Sequence, residues 1–346
     1  MLVFFGPLLV PGRVLAARDV PFLHLPLRLT FQELLAEGLP EWNPLLHGGQ
    51  PILSNPHYSA WYPATWLLAA LPAPAAMHAS ILLHAGWAFA GAWRLARRMG
   101  CGTAGAALGA VAYAGSGAFV SLTSSLLLFT GMAWLPWVLA WGAGSRVLLT
   151  AAGVALLILN GDPATVAVAG LGLLALAATT PAGERRRALG RLALVLGLAV
   201  GLAAVQVLPT WSRLLESARG EGLAFEQAST WSTRPARLVE LAFPHFYGDA
   251  ARDEEDLYFG WRLHDKQYPF LLSISPGLLA LVLALGGLAR GPLPRRAAWA
   301  AGALVGIFLG LGRHNPIFAA LHAAVPFLSA VRYPEKFLLL TSACLA

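Results

Sequence analysis

Long runs of Leu, Ala, Val and Gly recur along most of this chain, separated by short polar or basic breaks. The runs predict membrane-spanning helices at about 75–93, 101–121, 125–143, 146–160, 163–180, 188–208, 270–289 and 297–312, since most are long enough to cross a hydrocarbon layer of roughly 30 Å. A shorter apolar piece at 316–329 and an apolar run beginning at 336 close the chain. Residues 1–17 are apolar apart from Arg13 but short for a span and interrupted by Pro7 and Pro11. The expected fold class is all-α and polytopic, a single integral membrane domain over 1–346 with about 9–11 transmembrane helices. Within 18–74, the segment 31–38 (FQELLAEG) predicts a short amphipathic helix stopped by Gly38.

One stretch breaks the apolar rhythm. Residues 40–63, PEWNPLLHGGQPILSNPHYSAWYP, carry five prolines, each lacking an N–H and restricting the residue before it, so no continuous helix forms there. Gly48-Gly49, Asn43-Pro44 and Asn55-Pro56 are turn signals. Trp42, Tyr58, Trp61, Tyr62 and Trp66 are the side-chain types that settle where water meets hydrocarbon. An ordered extramembrane loop accounts for these features. The length of the stretch and its polar side chains (Asn43, His47, Gln50, Asn55, His57) also suit a binding surface.

Composition sharpens the class: 57% of residues are hydrophobic and 12% charged, about half the charged share of a soluble domain. The net charge of +7 does not point to nucleic acid, because the arginines lie in short clusters between apolar runs and no nucleic-acid module signature is present. The two cysteines, Cys101 and Cys344, supply neither a disulfide framework nor a metal-ligand spacing. No glycine-rich phosphate loop of the Walker type occurs, and the two halves show no matching interrupted segments of the kind inverted-repeat transporters carry.

The charge pattern sets an orientation. With the N-terminus cytoplasmic and the spans alternating, the inner loops hold Arg94, Arg97, Arg98, Arg146, Arg185, Arg186, Arg187, Arg191, Arg290, Arg295 and Arg296, with Glu184 as their one acid. The net charge is then +10 inside and −3 outside. Two larger loops, 18–74 and 209–268, fall on the outer face.

Candidate chemistry gathers on that outer face. Asp19, in RDVPFLHLP, is either a solvated boundary residue paired with Arg18 or a general base or divalent-cation ligand. Asp162, in LNGDPA, is an Asx-turn or helix N-cap, or a polar group of the same face. Arg219, Arg234, Arg237 and His245 in the second loop suit an anion, whereas the acidic run Asp253–Asp256 reads as solvated surface. Arg332 and Lys336, four apart in VRYPEKF, either snorkel to the interface or hold a lipid phosphate at headgroup level.

Taken in order, several motifs resemble the YfhO-like family of bacterial membrane proteins. These are an Asp after a first apolar segment, the 40–63 stretch, a helix bearing His84, AWLPW at 133–137, NGDPAT at 160–165, LGRHNPIF at 311–318 and VRYPEKF at 331–337. The resemblance implies a fold similar to the C-superfamily membrane glycosyltransferases, which carry a catalytic acid in their first outer loop and use polyprenyl-phosphate sugars as donors. It further implies glycosylation of a cell-envelope acceptor such as lipoteichoic acid, in a bacterial cell membrane. Asp19 matches the catalytic acid. The stretch containing Trp42, Asn43, Asn55, His57 and Tyr58 matches the segment that shapes the outer cavity, and Arg332 and Lys336 match basic residues at the start of a late span. Full members of the family are longer, with more spans and an outer C-terminal region, so this chain is expected to be a fragment.

Two functions are therefore expected to compete. One is transfer of a sugar from a polyprenyl-phosphate carrier, with Asp19 as base, Asp162, Arg219, Arg332 and Lys336 among the binding residues, and a divalent cation at Asp19 as an option. The other is a non-catalytic scaffold or carrier for a lipid-linked molecule, which predicts charged groups facing an internal cavity at bilayer depth.

Overall fold

The computed structural model describes all residues except 1, 11, 218–219, 221, 251–257, 291–292, 326–327 and 330. It is mostly helical, at 69%. The main helices are α1 (Leu25–Leu35), α2 (Ala73–Arg98), α3 (Thr103–Ala114), α4 (Leu126–Ala143), α5 (Val147–Asn160), α6 (Pro163–Ala178), α7 (Ala182–Leu202), α8 (Ala204–Leu215), α9 (Leu278–Arg290), α10 (Leu293–Gly310) and α11 (Leu338–Leu345). Among the described residues two helical stretches are long and apolar enough to cross a membrane, Thr103–Ser124 and Leu126–Ala143, or three if α7 and α8 count as one bent span. Shorter apolar helices accompany them at α5, α6, α9 and the C-terminal part of α10.

The bundle is built around α4. Its sequence, LLLFTGMAWLPWVLAWGA, is apolar on every side, and a helix of that kind must be enclosed by others. Leu128, Phe129, Leu135, Val138 and Ala140 are accordingly buried around its whole circumference, against α2, α5 and α6. Small residues permit the close approach. A Cβ at Gly131 would lie 2.5 Å from Thr165 Oγ1 of α6, and one at Gly172 would lie 2.8 Å from Leu139 Cδ2 of α4. Pro136 is accommodated inside α4, flanked by a tryptophan group in which Trp87 stacks on Trp137 at 4.4 Å.

The 40–63 stretch is ordered and bolted to one end of this bundle. Two short strands, β1 (Trp42–Asn43) and β2 (Gln50–Pro51), pair antiparallel with Asn43 opposite Gln50. Gly49, at φ +113°, leaves room for the Trp42 indole, which would sit 2.5 Å from an added Cβ. Ser59 donates to the Asn160 carbonyl (2.8 Å), and the Asn160 amide donates to the Leu127 carbonyl (2.7 Å). Thr210 of α8 donates to the Ser54 carbonyl (2.9 Å). Trp134 donates through Nε1 to the Tyr62 hydroxyl (2.7 Å). Because His84 Nδ1 faces the Ser80 carbonyl (2.7 Å) and must donate there, its Nε2 accepts from Tyr62 (2.7 Å). The loop is thereby locked to α2, α4, α5 and α8.

Three segments depart from the sequence expectation. The first-loop helix is longer and earlier than 31–38: a π turn over Val20–His24 runs directly into α1. Pro21 falls in the first turn of this stretch, where its missing N–H costs no bond, and Pro26 follows where the π turn passes into α1. Gly38, at φ +142°, still ends the turn that follows. The expected span 188–208 is bent by 81° between α7 and α8. The expected span at 270–289 becomes helical only at Leu278. Residues 270–277 run irregularly into the core, where Ala118 N–H donates to Ser275 O (3.1 Å) and Ser121 Oγ to Ser273 O (3.3 Å).

Candidate functional site

Three chain segments meet in a group of aromatic rings. Tyr268 and Phe270 come from the irregular segment before α9, Trp231 from the second loop and Tyr333 from the turn before α11. Trp231 meets Tyr333 edge-on at 4.6 Å and lies 5.6–5.7 Å from Tyr268 and Phe270, while Phe270 and Tyr333 are 5.1 Å apart. Three cations converge on these rings. Arg18 donates to the Phe270 carbonyl and sets its guanidinium 5.4 Å from the Tyr268 centroid and 5.5 Å from that of Phe270. Lys336 Nζ lies 5.4 Å from the same Phe270 ring and 5.7 Å from Tyr333, and Arg332 lies 5.0 Å over Tyr333. Such contacts each contribute about 0.5–2 kcal/mol and hold cations near one another against their repulsion.

Asp19 follows Arg18 directly in the chain. It is half-buried and caps the π turn without a side-chain bond to it. Arg18, its expected partner, turns instead to the Phe270 carbonyl. Backbone strain is concentrated here: Arg18 (φ +49°), Trp231 (φ +54°) and Tyr333 (φ +72°) all adopt left-handed conformations, costing of order 1–3 kcal/mol each for such side chains. Strain of that kind persists only where the surrounding contacts dictate it.

Asp162 serves two purposes. Its Oδ1 accepts from the N–H groups of Ala164 (2.8 Å) and Thr165 (3.1 Å), capping α6, as an Asp before a helix-opening proline should. Its Oδ2 pairs with Lys336 Nζ at 3.1 Å, with both side chains largely buried. The two sequence-derived residues Asp162 and Lys336, 174 positions apart, are thus in contact.

Beneath the aromatic group lies a buried ion network. Arg237 was expected to meet an anion from outside; the structure corrects this, because its side chain is 1% exposed and all its directions are taken within the protein. Its Nε donates to Glu240 (3.1 Å), Nη1 to Glu335 and Nη2 to the Leu271 carbonyl. Glu335 also accepts from the Leu271 N–H (2.9 Å). Arg237 and Glu335 therefore clamp the backbone beside Phe270, and Glu335 adjoins Lys336 in sequence. A local motif does not reveal this clamp, because its partners lie 98 residues apart.

The loop residues singled out from sequence mainly hold the loop together. Trp42 is half exposed over the Gly49 turn. Asn43 is buried, donating to the Tyr58 hydroxyl (2.7 Å) and accepting from Leu45 N–H (2.8 Å). Tyr58 also accepts from Gln50 (3.3 Å), and Asn55 accepts from His57 N–H (3.1 Å). His57 and Tyr58 line a small cavity of about 50 Å³ with His24, Arg28, Thr130 and Asn160. Burial, with the His57 and Arg28 charges adding to it, pushes His24 down to about 3, and its Nε2 accepts from Leu126 N–H (3.3 Å). Arg219 and the acidic run 253–256 lie outside the described residues.

Among the described residues no three His, Cys, Asp or Glu side chains are grouped to hold a metal ion. The aromatic group and Arg18 were not singled out as a site from sequence; the one hint was the spacing of aromatic and basic residues within VRYPEKF. No family model matches this chain, and neither the curated proteins nor the solved structures hold a match to it.

Proposed function

We propose that this chain is a multi-pass bacterial membrane protein that transfers a sugar from a polyprenyl-phosphate carrier to a cell-envelope acceptor on the outer face, with its N-terminus cytoplasmic. The observation that carries the reading is the contact of Arg18, Arg332 and Lys336 with the Tyr268, Phe270 and Tyr333 rings, Asp19 being the next residue in the chain after Arg18. A sugar joined to phosphate presents two chemistries: a carbohydrate face that packs on aromatic rings, and a diffuse anion that suits guanidinium and ammonium groups. As the bond between sugar and phosphate breaks, positive charge develops on the ring and negative charge on the departing phosphate. Cations already fixed over aromatic faces stabilise that phosphate without reorganising. Asp19, half-buried and not committed to capping the turn behind it, takes the proton of the acceptor hydroxyl. Asn43, Asn55 and Tyr58 act by holding the first loop in place, and Asp162 by holding Lys336.

The membrane part of the reading draws on the apolar helices and on the exposed faces of α7 and α9, which present Leu194, Val200, Leu202, Leu279, Val282 and Leu285. A second reading, a non-catalytic carrier or scaffold for a lipid-linked molecule, draws on the Asp162–Lys336 pair, which neutralises one of the three cations. The test is transfer of labelled sugar from polyprenyl phosphate by the full chain in proteoliposomes. Asp19→Asn abolishes transfer at unchanged insertion if the first reading holds; full activity in that variant removes the base assignment.

A further inference from the structure

A cavity of about 200 Å³ lies at the opposite end of the bundle from this site. Its rim carries Arg98 from the end of α2, Ser145 from the α4–α5 turn, Thr180 from the end of α6 and Arg191 from α7. Its wall is apolar, formed by Leu173, Leu192, Val195 and Trp299. The local sequence builds this shape. Gly144 lets the Arg98 guanidinium lie against the turn, since an added Cβ would sit 2.5 Å from Nη2. Ser145, at φ +54°, presents its hydroxyl to Arg191 Nη1 at 2.8 Å. Among the described residues neither guanidinium is paired with a carboxylate. The adjoining helix ends and turn carry Arg94, Arg97, Arg146, Arg185, Arg186 and Arg187 with Glu184 as the acid among them, so this end is strongly positive.

We infer that this cavity is a binding site for the headgroup of an anionic phospholipid. Two guanidinium groups at one mouth match a phosphate diester, and the leucine, valine and tryptophan wall below them takes the upper part of an acyl chain. Basic pockets between membrane helices on the cytoplasmic side recognise anionic lipids by this combination of charge and apolar wall. The inference rests on the membrane reading and not on sugar transfer, so its failure leaves the transfer assay unaffected.

The test uses the full chain in phosphatidylcholine nanodiscs titrated with phosphatidylglycerol, with retained lipid counted by native mass spectrometry. Wild type is expected to keep one phosphatidylglycerol in preference to phosphatidylcholine. Arg98→Gln with Arg191→Gln weakens that retention by about tenfold or more, two charge-assisted contacts being lost. Leu192→Trp, which narrows the apolar wall without changing charge, weakens it as well and keeps the inference testable if the arginine variant fails to fold. Arg186→Gln with Arg187→Gln, which removes two charges from the first turns of α7 outside the cavity, leaves retention unchanged. Equal loss in that control pair would show bulk charge attraction and overturn the site. Competition by millimolar inorganic phosphate, with no effect of Leu192→Trp, would show a free-anion site and overturn the lipid assignment.

Discussion

Arg237 offers the sharpest stability prediction, because it is a buried cation with three hydrogen bonds and two carboxylate partners. Arg237→Met keeps most of the apolar bulk, so the loss is one of pairing rather than of packing. Glu240 and Glu335 are then left buried without their cation, at 6% and 0% exposure. Glu335 Oε2 has no hydrogen-bond partner among the described residues, and only the Leu271 N–H remains on Oε1. Removing one member of such a buried pair costs about 3–5 kcal/mol, whereas replacing all members by neutral groups of similar size is often close to neutral. Arg237→Met should therefore lose about 3–5 kcal/mol, and adding Glu240→Gln and Glu335→Gln should recover a large part of it. The measurement is denaturant unfolding in detergent micelles followed by tryptophan fluorescence, with a double-mutant cycle between positions 237 and 335. A loss below about 1 kcal/mol for Arg237→Met, or no coupling in the cycle, would refute the view that this network clamps the backbone beside Phe270.

Other predictions concern the latches and the pH response. Asp162→Asn keeps an oxygen for the α6 cap but loses the Lys336 ion pair, so it should be milder than Asp162→Ala, which also loses the cap at about 1 kcal/mol; equal losses in unfolding experiments would contradict the dual role. Gly161→Ala places a Cβ 2.3 Å from the Pro56 carbonyl at φ +100°, so it should destabilise by more than about 1 kcal/mol and raise proteolysis within 40–63; unchanged protease sensitivity would show that the loop is not seated there. His24 and His264 are both held down to about 3 in the folded protein, mainly by burial, while unfolded histidine titrates near 6.5. The unfolded chain therefore binds more protons below about 6.5, and stability should be complete above that pH and fall towards pH 3, by up to about 1.4 kcal/mol per pH unit for each histidine. A flat unfolding midpoint from pH 7 to 4.5 in the wild type would contradict the buried neutral state.

Parts of this arrangement are legible in the sequence because they are local. Apolar runs mark α2, α4, α5 and α6 within a few residues, and Gly161-Asp162-Pro163 announces a helix end, a cap and a helix start in three letters. The prolines and paired glycines of 40–63 likewise announce turns, and turns are what form. Other parts are not legible because hydropathy does not distinguish a buried irregular strand from a span. Phe270–Gly277 reads as the start of a helix, yet its backbone groups are claimed by Arg18, Arg237, Glu335 and the short helix at 117–121. Arg237 reads as a surface cation because its neutralising partner Glu335 lies almost a hundred residues away. The pairing of Asp162 with Lys336 is of the same kind: each residue stands out alone, and only the fold joins them.

The proposed transfer requires the aromatic and cationic group around Phe270 to handle a lipid-linked sugar phosphate, with Asp19 as the base. The most direct measurement reconstitutes the full chain in sealed vesicles, supplies a labelled polyprenyl-phosphate sugar and an envelope polymer on one face only, and follows both labelled polymer and freed carrier. Wild type should transfer label when both substrates are on the outer face, and Asp19→Asn should transfer none while remaining inserted. Well-inserted wild type that transfers no label from either face, or Asp19→Asn that transfers as wild type does, would contradict the account.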